Sequence, residues 1–140
     1  MESKQRPQKA TGRSPHTIWG DLARICARIH ELWYVRGNKT VARRHVHKLA
    51  QVLAAIPENN RAIVRQEGLA LLNEIKGNRN DAIKHRRREI RLMERLHKSV
   101  QASVKAGDYD ELMKASILDG RDERALKQRR AILQALELER

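Results

Sequence analysis

Aromatic residues are scarce in this chain of 140 residues, where Trp and Tyr together make up 3% and Phe is absent. Strands favour aromatic and β-branched residues, whereas Ala, Leu, Arg, Lys and Glu, which dominate here, favour helices. The apolar content of 40% is too high for a disordered chain, and the length suits one domain. These proportions predict a single all-helical domain.

Cysteine and long apolar runs are nearly missing as well. The single Cys26 excludes an internal disulfide, and its place on an apolar helical face predicts a small core residue. No apolar run approaches the roughly 20 residues that cross a bilayer. Residues 1–15 contain basic side chains but not the apolar stretch of a signal peptide. We therefore expect a cytoplasmic protein that does not enter a membrane.

The sequence patterns of catalysis are also lacking. There is no Gly-rich phosphate loop, no H-E-x-x-H and no G-x-S-x-G. The six histidines and Cys26 do not have metal-ligand spacing. Asp108, Asp110 and Glu111 cluster at a predicted turn, where acidic residues stabilise a helix N-terminus and where the spacing excludes an EF-hand. We expect neither an enzyme nor a cofactor or metal site.

Positive charge is what the chain has in excess, with a formal net charge of +13. It is unevenly spread, since residues 37–56 carry +4 and residues 77–106 carry +6. Charge of one sign gathered in two segments predicts a polyanionic partner, which is either a nucleic acid or an acidic protein surface.

Apolar periodicity and helix-ending residues predict six helices after a flexible basic tail at residues 1–14. Ser14 and Pro15 suit a helix start, and Ile18, Leu22 and Ile29 begin one apolar stripe behind them. Gly37, Gly77 and Gly107 end three of the helices. The predicted helices cover about residues 15–36, 40–55, 57–76, 80–106, 109–118 and 121–138.

Two stretches forty residues apart are nearly the same, GNKTVARRH at 37–45 and GNRNDAIKH at 77–85. Each follows a predicted helix and precedes another, so the order helix, Gly turn, helix occurs three times, which is typical of a repeat array. An Ala stands five positions after the Gly in both stretches, whereas Leu112 holds that position after Gly107. In these features the chain resembles the tetratricopeptide repeat family.

The resemblance covers about residues 16–138 and implies a right-handed array of three tandem antiparallel helical hairpins, forming one domain at residues 15–140. It also implies that the second helix of each hairpin lies on the outer face, which would make that face basic and leave the concave face nearly neutral. The alternative is a plain six-helix bundle whose glycine caps coincide.

The candidate partner contacts are the basic residues of the second and fourth predicted helices. Arg86 and Arg87 lie three or four residues from Ile83 and Ile90, so they either pair with acids of a neighbouring helix or reach a partner. Three interpretations stay open for the whole set: the residues form a solvated face, they bind a nucleic acid, or they bind an acidic protein. It comprises Arg43, Arg44, Lys48, Lys84, Arg86, Arg87, Arg88, Arg91 and Arg95.

Trp19 and Trp33 are candidate aromatic anchors for a partner, or they cover the apolar surface at the end of the array.

We expect a non-enzymatic scaffold or adaptor of a larger complex that binds a partner protein through helix faces. The alternative is a small basic subunit that holds the phosphate backbone of RNA or DNA without reading its sequence. Self-association through the apolar flank of a terminal hairpin is also open.

Overall fold

All regular structure in the computed structural model is helical over the residues that it describes, which are 15–107 and 121–138. The all-α prediction is therefore confirmed. The predicted tail at 1–14 and the predicted helix at 109–118 lie outside the described residues. The helices are α1 (Pro15–His30), α2 (Lys39–Arg44), α3 (Val46–Ala55), α4 (Ile63–Lys76), α5 (Arg79–Lys105) and α6 (Arg121–Leu138).

The core forms where α1 packs against α3 and α4. Leu22, Cys26 and Ile29 lie one turn apart on α1 and are fully buried, as the apolar stripe predicts. They meet Leu49 of α3 and Leu71 of α4, which are also fully buried. None of the helices in the described ranges is both long and apolar enough to cross a membrane.

The repeated Gly-Asn stretches form the same turn twice. Gly37 and Gly77 both have positive φ, at 66° and 83°, a conformation that glycine adopts without a steric penalty. Asn38 and Asn78 follow with nearly equal angles, φ −87° and ψ 76° against φ −85° and ψ 78°. Each asparagine carbonyl then accepts a hydrogen bond from the Ala four residues later. The repetition in the sequence is therefore a repeated helix-to-helix turn.

The two turns differ in the helix that precedes them. A π-helical turn, Glu31–Val35, continues α1, and the Arg36 N–H donates to the Glu31 carbonyl five residues back at 2.8 Å. Before Gly77 the helix stays α-helical and ends in a Schellman pair of bonds, from Gly77 to Glu74 and from Asn78 to Asn73. Gly107 also has positive φ and follows the end of α5, as predicted.

Two predicted helix boundaries were wrong. The second predicted helix is interrupted at His45, whose N–H donates to the Ala42 carbonyl three residues back, so α2 and α3 are separate. The third begins at Ile63 instead of Pro57. Ile56, the residue before the proline, is extended with ψ 153°, because proline disfavours a helical residue before it. Residues 57–62 form a loop between α3 and α4.

Helices α4 and α5 pack along each other across the Gly77 turn, α1 packs on α3 and α4, and α6 packs on α5. The arrangement of three hairpins in a tetratricopeptide-like array stays a prediction, since the third predicted hairpin includes residues outside the described ranges.

Candidate polyanion-binding surface

A row of basic side chains runs along one side of α5. Its members recur at steps of four, three, four and three residues, which keeps them on one helical face. Arg88 is half-buried and the other members are exposed. At 1.5 Å per residue the row is about 21 Å long. This basic stripe consists of Lys84, Arg88, Arg91, Arg95 and Lys98.

The opposite face of α5 holds the helix against the body of the protein through Arg86, which is fully buried. Its guanidinium donates two hydrogen bonds to the Glu74 carboxylate of α4, one of them at 2.9 Å, and a third to Glu89 Oε1 at 2.7 Å. Burial alone would lower the pKa of Arg86, but Glu74 and Glu89 raise it above its ordinary value. Of the two alternatives that the sequence left open for Arg86, the structure shows pairing with an acid of the neighbouring helix, so its assignment as a partner contact was wrong.

The Arg86 cluster extends to α6 and to the π-helical turn. The Tyr34 hydroxyl donates to Glu74 Oε1. Arg129 of α6 donates to Glu89 Oε2 at 3.1 Å and to Glu67 Oε2 at 2.8 Å. Burial raises the pKa of Glu67, an effect that Arg129 opposes. These contacts join four elements through charged groups that are satisfied inside the protein.

Several other arginines are neutralised at the surface. Arg87 pairs with Glu137 at 2.6 Å, and Arg130 pairs with Glu94 at 2.7 Å. Arg79 donates to the Leu136 and Glu137 carbonyls at the end of α6. By contrast, no carboxylate of the described residues lies within ion-pair distance of the basic stripe. The other α5 arginines thus have partners, whereas the stripe has no carboxylate partner among residues 15–107 and 121–138.

Two concave surfaces border the stripe and share Arg88 and Arg91. The first, which we call the basic groove, has a volume of about 570 Å³. The second, the arginine pocket, has a volume of about 220 Å³ and lies between the 57–62 loop and α5. The basic groove is lined by Asn80, Ile83, Lys84, Arg87, Arg88 and Arg91. The arginine pocket is lined by Asn60, Arg61, Arg88, Arg91, Leu92 and Arg95.

The remaining predicted contacts lie on α2 and α3, where Arg43, Arg44 and Lys48 are exposed. Arg43 lies over the Trp33 ring at 5.4 Å, and Lys39 lies over the same ring at 4.0 Å. Lys48 lines a separate groove of about 480 Å³ between α1 and α3. The structure brings Lys84, Arg87, Arg88, Arg91 and Arg95 together on α5, and it places none of the α2 and α3 residues among the groups that line the basic groove or the arginine pocket.

The two predicted aromatic anchors differ in their surroundings. Trp19 is half-buried and packs against the core, so it is part of the fold. Trp33 is also half-buried, and the two cations of Lys39 and Arg43 cover its ring. Neither side chain lines the basic groove or the arginine pocket, so those surfaces contain no aromatic ring for stacking on a base.

His85 of α5 is connected to the 57–62 loop through the side chain of Gln66 of α4. Its Nδ1 lies 2.8 Å from Gln66 Oε1, while Gln66 Nε2 donates to the Asn60 carbonyl at 3.2 Å. Because the amide oxygen faces the ring, His85 Nδ1 carries the proton. Burial, followed by the charges of Lys84 and Arg88, lowers the pKa of His85 to about 4. Within the described residues, no group of three His, Cys, Asp or Glu side chains could hold a metal ion.

The residues that sequence reasoning missed are those that build the arginine pocket from the loop side. Arg61 and Asn60 were assigned to a helix, and Gln66 had no predicted role. The Asn59-Asn60 pair after Pro57 is a signal for a turn, because asparagine side chains bond to the backbone two residues on. Asn59 Oδ1 accepts from the Arg61 N–H at 3.0 Å in that way.

Comparison of the chain with protein-family models, curated proteins and solved structures found no match. The described residues define an all-helical protein with a basic stripe on one face of α5.

Proposed function

We propose that this chain is a non-enzymatic helical scaffold of a nucleoprotein complex, and that its basic stripe binds the phosphate backbone of RNA or DNA. The observation that carries the proposal is the selective pairing of arginines on α5. Arg86 and Arg87 have carboxylate partners, whereas the stripe beside them has none among the described residues. Unpaired cations in a row gain most from a ligand with regularly spaced negative charges.

The length and composition of the stripe support a backbone contact. A duplex has a phosphate about every 3.4 Å along each strand, so a stripe of about 21 Å can lie beside roughly six of them. Lysine and arginine are the only residue types in the stripe. Such side chains bind phosphates from any sequence, which favours binding without base readout.

A second candidate function is the binding of an acidic protein surface, and the groove between α1 and α3 favours it. Its lining combines the apolar Ile18, Ile25 and Val52 with three basic residues, Arg24, Arg28 and Lys48, and one acidic residue, Asp21. An amphipathic helix with acidic flanks would match that pattern. In this reading the protein is an adaptor whose helix faces hold a partner protein.

The test compares two triple variants that remove equal charge. Replacing Arg91, Arg95 and Lys98 by Gln should weaken binding of a mixed-sequence duplex about five-hundredfold at ~0.1 M salt, since each of the three phosphate contacts contributes about eightfold there. Replacing Arg28, Arg44 and Lys48 by Gln is the matched control and should weaken it less than about tenfold. Fluorescence anisotropy with RNA and DNA duplexes measures both.

Equal losses in the two triple variants would show that net charge, not the stripe, attracts the nucleic acid. Absence of binding by the wild-type chain at low salt would overturn the proposal and leave the protein-binding candidate.

A further inference from the structure

The arginine pocket gathers positive charge more closely than the rest of the stripe. Arg61, Arg88, Arg91 and Arg95 all line a volume of only about 220 Å³. No carboxylate of the described residues pairs with any of the four. Like charges that line one pocket repel one another, so an anion in the pocket would be favoured.

The loop side of the pocket is held in place by buried contacts. Gln66 is fully buried and uses both ends of its amide, donating to the Asn60 carbonyl and accepting from His85 of α5. Arg65 donates to Asn60 Oδ1 at 3.1 Å. This buried glutamine holds the backbone of the loop close to α5. The backbone that carries Arg61 therefore needs little rearrangement on binding, which lowers the entropy lost.

The charge and shape of the pocket distinguish between two kinds of phosphate. A phosphodiester inside a strand has one negative charge and chain on both sides. A terminal phosphate has a charge of about −1.5 to −2 at neutral pH and three free oxygens that can each accept hydrogen bonds. Four arginines that line one small concave volume match the second better, because arginine binds phosphate oxygens in pairs.

We infer that the arginine pocket binds the terminal phosphate of a nucleic-acid strand whose following phosphates lie along the basic groove. The inference rests on the proposed function, because the strand reaches the pocket over the same surface. Arg88 and Arg91 line both the pocket and the groove, so a strand that begins in the pocket continues past Lys84 without leaving positive charge. The chain would then recognise strand ends in preference to continuous backbone.

The experiment uses the full chain and single-stranded oligonucleotides of one sequence, as RNA and as DNA, with a 5′-phosphate, a 3′-phosphate or hydroxyl ends. An unphosphorylated oligonucleotide two nucleotides longer carries about the same charge as the phosphorylated ones and is the control for net charge. Competition anisotropy should show about tenfold tighter binding of one phosphorylated form than of this control, as expected for one added charged contact.

Arg61→Gln is the variant that tests the pocket, because Arg61 lies on the loop and outside the basic stripe. It should remove most of the tenfold preference and leave binding of hydroxyl-ended oligonucleotides within about threefold of wild type. Arg44→Gln removes the same charge from α2 and should keep the preference. Both residues are exposed, so neither change should disturb the fold.

The outcomes separate the two proposals. Equal affinity for the phosphorylated and the longer hydroxyl-ended oligonucleotides overturns the terminal-phosphate inference and leaves backbone binding intact. No binding of any oligonucleotide overturns both. A preference that survives Arg61→Gln unchanged would show that the terminal phosphate binds elsewhere.

Discussion

Replacing Arg86 by methionine tests whether this arginine is a structural residue, as its position requires. The change removes the one cation that donates two hydrogen bonds to Glu74 and one to Glu89. The side chains of these two acids are 2% and 1% exposed. Glu89 keeps Arg129 at 3.1 Å, whereas Glu74 keeps only the Tyr34 hydroxyl. The variant thus contains a buried carboxylate without a cation.

Breaking a buried ion pair in this way typically costs about 3–5 kcal/mol, against a total free energy of unfolding of about 5–15 kcal/mol. Urea unfolding followed by far-ultraviolet circular dichroism measures the difference. With a slope of about 2 kcal/mol per molar urea, the midpoint should fall by about 2 M. The double variant Arg86→Met, Glu74→Gln should recover part of the loss, because the unpaired charge is then gone.

Arg87→Met is the matched control one residue away. Arg87 pairs with Glu137 at the surface, where the side chain is 55% exposed, so its loss should cost less than about 1 kcal/mol. A similar small loss for Arg86→Met, or a double variant that recovers none of the loss, would refute the interpretation of Arg86 as a paired buried charge.

Two further predictions concern stability. Gly68→Ala should lower the free energy of unfolding by about 1 kcal/mol, because the added Cβ would lie 3.1 Å from Leu53 Cδ2 and 3.3 Å from Leu22 Cδ1. Gly20→Ala should raise it by about 0.5–1 kcal/mol, because a Cβ there would meet only the flexible Arg24 side chain. The same urea assay measures both. Stability should also fall as the pH decreases from 6.5 towards 4, because burial lowers the pKa of both His30 and His85 to about 4 and the unfolded chain takes up these protons first. The contribution of His30 is at most about 1.4 kcal/mol per pH unit. His30→Leu should therefore reduce the slope and leave the contribution of His85, and an unchanged slope would contradict the assignment.

The sequence predicts well those features that depend on local patterns. The apolar steps of α1, the glycines at 37, 77 and 107 and the repeated asparagine turn all follow from periodicity and from backbone preference. The start of α4 was mispredicted because Pro57 suits both a helix start and a loop. The extended Ile56 before it and the turn at Asn59 decide for the loop.

The candidate site could be predicted only in part, because tertiary pairing decides which arginines stay free. Arg86 and Arg88 look alike in the sequence, yet Arg86 meets Glu74 from the neighbouring helix and Arg88 lies between the two concave surfaces. Arg61 joins the site because Gln66, five residues later, holds its loop against α5. Neither contact has a signature within a single helix.

The salt dependence of duplex binding tests the central claim most directly, because it counts the phosphates that the stripe contacts. If five cations bind phosphates, the logarithm of the association constant should fall with the logarithm of salt concentration with a slope of about −4.5. In the variant without Arg91, Arg95 and Lys98 the slope should be about −2. A wild-type slope near zero, or the same slope in both proteins, would contradict the assignment of phosphate binding to this face of α5.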